Sequence, residues 1–172
     1  MTWLVLALLT LGAALLQTVF PAYAVIAQAR FPFLLGVVVY YALHRDGGTM
    51  AVAAVTCGVT QDALSNVPLG YSAVLFLLVG IVTGRFRALV VHDSVVPSAF
   101  FCMAGSAAAT AALFLLLLRG GLVEAGVPRG MWKAFGVGLL GTVAGPVMAE
   151  LGVALDSFAG NVAFKENVTG IE

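Results

Sequence analysis

Residues 57–87 read CGVTQDALSNVPLGYSAVLFLLVGIVTGRFR. One apolar segment closes near Asp62, a turn follows at Ser65-Asn66-Val67-Pro68, and a second apolar segment opens at Leu69-Gly70. The pattern predicts a hairpin between two membrane helices. Proline suits a helix entrance, where its fixed φ and missing N–H cost little. Asp62 is the anomaly, because a carboxylate in hydrocarbon is costly unless it faces a polar interior or is neutralised. Two readings are open for it. Either it lies near the membrane surface and caps or pins the Ser65-to-Pro68 turn, or it is a buried polar node shared with another helix.

Composition extends this reading to the whole chain. Of its 172 residues 62% are hydrophobic and 9% charged, far below the ~25% charge of soluble domains. Eight basic and eight acidic side chains cancel, which leaves neither a basic field for nucleic acid nor an acidic solvating tail. Cys57 and Cys102 sit in apolar runs without Cys-x-x-Cys spacing, and the two histidines, His44 and His92, fall at segment ends. A closed metal site needs about four convergent ligands, so these read as inert buried thiols, and no metal or cofactor is expected.

The apolar runs place six spans at about 2–20, 28–44, 49–65, 69–85, 95–118 and 131–158, with a polar tail over 160–172, in one polytopic membrane domain. The expected fold is all-α, a compact bundle of about six transmembrane helices. Thr2 to Leu16 could also serve as a signal-peptide core, but no Lys or Arg precedes it and the run reaches Phe20, which favours a retained span. In the second segment the apolar stretch Phe31 to Leu43 covers only about thirteen residues of the ~20 a crossing needs. Either it begins earlier, with Gln28 and Arg30 at its margin and Arg30 snorkelling to the interface, or it is a partial insertion; a span is expected, and Tyr40 and Tyr41 near its end fit an aromatic belt. Arg119 to Arg129 reads as a loop closed by Pro128. With the N-terminus inside, Arg45, Arg85, Arg87 and Lys165 face one side and Arg30, Arg119, Arg129 and Lys133 the other. Positive charge therefore does not choose an orientation.

Gly80 and Gly84 in the fourth span, and Gly141 and Gly145 in the sixth, have the small-xxx-small spacing that lets membrane helices approach closely. They serve internal packing or a partner's helix. Glu150 is the second acid well inside a span; it is neutralised, bonded to Thr142, or bonded to another helix. The chain holds no Gly-x-Ser-x-Gly, Walker-type Gly-Lys-Ser/Thr or His-Glu-x-x-His motif, so no enzymatic activity is expected. Asn167-Val168-Thr169 is a weak glycosylation match.

Gly58, Asp62, Leu64, Pro68, Leu69, Gly70, Gly80, Gly84 and Arg85 together resemble the signature of the MreD family of bacterial rod-shape proteins: a Gly, an Asp a few residues on, a Pro-Leu-Gly-like turn and an apolar span ending in Gly-Arg. One departure is Phe33 after Pro32, where the family often carries an Asp. The resemblance implies a non-enzymatic scaffold of the cell-elongation machinery in the bacterial cytoplasmic membrane, with its N-terminus in the cytoplasm. Its implied partners are MreC, a single-span protein, and with it the RodA polymerase and a penicillin-binding transpeptidase. The family's architecture is similar to that of the substrate-capturing membrane subunits of energy-coupling vitamin transporters, which gives the rival function. Those subunits typically carry Ala-x-x-x-Ala on the first helix, and Thr2 to Phe20 has none.

Overall fold

The computed structural model describes residues 2–20, 29–65, 68–87, 96–121 and 127–160. Among these residues six helices follow one another: α1 (Thr2–Val19), α2 (Phe33–His44), α3 (Gly47–Ser65), α4 (Tyr71–Arg85), α5 (Val96–Arg119) and α6 (Val127–Phe158). No strand element occurs among the described residues. By length and composition α1, α5 and α6 can each cross a bilayer. The chain is thus a helical membrane protein.

Helix α2 is the hub. It is the one helix in contact with all five others, and these close around it in the order α1, α3, α4, α5, α6 and back to α1. Every residue from Phe33 to Leu43 is buried, a placement that its near-continuous Leu and Val content permits and a lipid-facing helix would not need. The ring helices turn large apolar side chains outward, as Leu4, Leu8, Leu11 and Leu15 on α1 and Phe135, Leu139 and Val143 on α6. Between α5 and α6 the inward side chains are small. The buried face of α5 is Ser98, Cys102, Gly105, Ser106 and Ala109, and Gly138, Gly141 and Gly145 of α6 lie against it. Hydrocarbon is as apolar as leucine, so at this seam size rather than hydropathy separates inside from outside, and close backbone packing holds the two helices together.

Several boundaries differ from the expectation. Helix α2 begins at Phe33, directly after Pro32, rather than near Gln28, because proline disfavours the α conformation in the residue before it. Pro128 lies in the first turn of α6 instead of closing a loop, a position where its missing N–H costs nothing. Tyr40 and Tyr41 are fully buried; they belong to the core and form no aromatic belt. Asn66, Val67, His92, Asp93, Lys165, the 160–172 tail beyond Gly160 and the Asn167 motif lie outside the described residues.

Candidate functional site

The motif stretch folds as a locked hairpin. Asp62 is fully buried on α3, and its carboxylate accepts hydrogen bonds from the Gly70 N–H at 2.7 Å and the Ser72 N–H at 3.1 Å. Those N–H groups belong to the unpaired first turn of α4, where a negative charge also meets the positive end of the helix dipole. The carboxylate therefore acts both buried and local: among the described residues its partners are backbone donors of the adjoining turn. Pro68 and Leu69 precede the helix rather than open it. Gly70 makes the reversal at φ 104°, a left-handed conformation that a side chain rarely adopts. One turn before Asp62, a Cβ on Gly58 would collide with the backbone of Ser72 and Ala73, so this glycine sets how closely α3 and α4 pack.

The remaining motif residues do not converge on one point. Gly80 is turned inward against Met50 and Val38, and a Cβ on Gly84 would sit 3.7 Å from the Ala42 carbonyl. Gly141 and Gly145 contact Ser98, Cys102 and Ser106 of α5. Both glycine pairs are thus occupied by neighbours within the bundle. Arg85 is exposed at the end of α4. Glu150 is exposed on α6 in a face formed with Leu139, Val143 and Val147, and no described residue partners it. Thr142, eight positions earlier on that helix, does not bond it. Pro146 lies between them within the helix and brings no N–H to the Thr142 carbonyl.

Two polar clusters escaped the sequence reading. At one end of the bundle Asp156 of α6 is buried, accepts the Tyr40 hydroxyl at 2.6 Å and lies 2.8 Å from the Arg45 guanidinium. The Arg45 contact is an ion pair without hydrogen-bond alignment. Arg87 donates to the Arg45 carbonyl, His44 stacks on Tyr40 at 4.7 Å, and Asp46 accepts from the backbone and hydroxyl of Thr49 at the start of α3. At the opposite end the Gln17 amide donates to Gln61 at 2.7 Å and Gln61 donates to Ser65 at 2.8 Å, while the buried Gln17 Oε1 has no partner.

That second end holds a cavity of about 420 Å³, within the ~300–1,000 Å³ range of small-molecule sites. Its origin is the brevity of α2. Twelve residues rise ~18 Å against a hydrocarbon core of ~30 Å, so α2 itself does not fill the column above the hub. Phe31, Pro32 and Leu35 border it from the hub's end, and every ring helix contributes to the wall.

These features define a helical membrane protein with one end whose charges are paired, though the buried Tyr41 hydroxyl there has no hydrogen-bond partner, and one hollow end. No family model, curated protein or solved structure matches the chain.

Proposed function

We propose that the chain is a six-span membrane scaffold of the MreD type, non-enzymatic, set in the bacterial cytoplasmic membrane and working in lateral-wall synthesis. The observation that carries the reading is the outward face of α6 around Glu150. An acidic residue in mid-span costs ~2.5–3.5 kcal/mol on insertion scales. Glu150 stands six residues inward of Asp156, a rise of ~9 Å, on a face otherwise made of large apolar side chains. A partner helix carrying donor side chains would satisfy Glu150. An MreC-like single-span protein is the partner that the motif resemblance implies, with a RodA-type polymerase and a penicillin-binding transpeptidase assembled through it.

The test is crosslinking in intact membranes from a photoreactive residue at Val147. The expected adducts are a single-span partner and wall-synthesis enzymes, lost in Glu150→Leu. Adducts confined to an ATPase coupling module would move the function to the rival reading, capture of a small molecule for an energy-coupling transporter. One observation favours that rival: the cavity at the Gln17 end.

A further inference from the structure

We propose that the cavity at the Gln17 end is a binding site for a phosphate-bearing polyol amphiphile, a ligand with an anionic phosphate, at least one free hydroxyl and a short apolar body. Three features of the wall select this chemistry. Arg30 and Lys133 both line the cavity, and among the described residues no carboxylate does and neither cation has a partner. A guanidinium and an ammonium facing one space suit phosphate, which accepts charge-assisted hydrogen bonds from both.

The second feature is Gln17. It is 4% exposed, its Nε2 is committed to Gln61, and its Oε1 is a buried acceptor with no donor. An unmet buried acceptor costs about 1–3 kcal/mol, and a ligand hydroxyl that displaces the side chains covering Oε1 would remove that cost. The third feature is apolar: Leu35, Leu75, Phe76, Leu113 and Val137 line the cavity and offer contact to a hydrocarbon portion. The ring of helices closes on all sides of the hub, so the ligand enters from the membrane face that carries Arg30, Ser65 and Lys133. The site is independent of the scaffold reading, because it concerns what fills the bundle and not what docks outside it.

The phosphate polyol could be a lipid headgroup or a soluble ester, and the probes separate the two. Binding isotherms would be measured on the full chain in an uncharged detergent. The probes are dihexanoyl phosphatidylglycerol, dihexanoyl phosphatidylcholine and glycerol 3-phosphate. Phosphatidylglycerol should bind at least about tenfold tighter than phosphatidylcholine, which has the same chains but no free hydroxyl and no net charge. Glycerol 3-phosphate binding as tightly would identify a soluble source; its failure beside phosphatidylglycerol would identify a lipid. Arg30→Gln and Lys133→Gln alter exposed side chains and should fold normally, each weakening binding by about tenfold. Ala109→Leu, which fills the wall without touching a polar group, should abolish binding. Equal binding of the two lipids, no binding of either phosphate polyol, or indifference of the isotherm to both cation substitutions would overturn the proposal.

Discussion

The two ends of the bundle carry similar side chains and use them differently. At one, Arg45 finds Asp156, Asp156 also accepts from Tyr40, and Arg87 reaches the Arg45 carbonyl. At the other, Arg30 and Lys133 border a cavity to which no described residue contributes an acid, and the Gln17 amide is satisfied on one side only. The first arrangement ties α2, α4 and α6 together. The second leaves binding capacity unspent. Polar groups in a membrane bundle are costly at both ends, and the ion-paired end also leaves the buried Tyr41 hydroxyl without a hydrogen-bond partner, so what separates the ends is the pairing of their charges and the open space at the second.

The same chemical change at each end should therefore have unequal consequences. Asp156→Leu strands Arg45 and the Tyr40 hydroxyl, and removing one member of a buried pair costs ~3–5 kcal/mol. Arg45 is 20% exposed, so water relieves part of this and the lower figure, about 3 kcal/mol, is expected. Arg30→Gln or Lys133→Gln should stay within about 0.5 kcal/mol of the parent, as surface changes do. Thermal unfolding in one detergent, with no added phospholipid, gives both values. Equal losses at the two ends would erase the distinction between them.

Asp62 sharpens the comparison, because it sits at the hollow end yet is fully matched. Its Oδ2 lies 2.7 Å from the Gly70 N–H and 3.3 Å from the Ser72 N–H. An asparagine carbonyl placed there keeps both donors satisfied while losing the charge. Asp62→Asn should thus be partly tolerated, whereas Asp62→Leu leaves two buried N–H groups unmet and should cost about 1–3 kcal/mol. Partner co-purification normalised to folded protein tells whether the loss is of the hairpin or of an interface. A normalised yield that stays at the parental level in Asp62→Leu while folded protein falls would assign the carboxylate to the hairpin alone.

Much of the fold was legible because apolar run length and turn residues act locally. Helices α1, α3, α4 and α5 fall within two residues of the expected spans. Asp62 was legible for the same reason, since its partners lie eight and ten residues along the chain. Asp156 was not. Near the end of a long apolar helix an acid looks like an interfacial residue, and its partners Tyr40 and Arg45 come from the far end of the sequence. Gln17 carried a signal that could have been used: it follows Leu6, Leu9 and Ala13 at helical spacing, and these four share the buried face of α1. The cavity had a subtler one. The second apolar segment is too short to cross, and a short hub inside longer walls must leave space.

The smallest expected effect is at Asp46, which caps α3 at the matched end. Its carboxylate accepts from the Thr49 hydroxyl at 2.7 Å and the Thr49 N–H at 3.1 Å. The hydroxyl bond first, then the backbone bond, holds its pKa below the ordinary 3.8 of an aspartate. The folded state thus prefers the ionised form more than the unfolded state does. Stability from this cap is present in full above the unfolded value and is lost as pH falls through the lower folded one, so nothing should change between pH 8 and pH 5. Asp46→Asn keeps a capping oxygen and should be nearly neutral at pH 7, while Asp46→Ala should cost about 1 kcal/mol. Unfolding temperatures of the parent and Asp46→Asn measured down to pH 3 give the check. The parent should lose its small advantage only at the acid end, and an advantage already fading at pH 6 would mean that another group controls this end of the bundle.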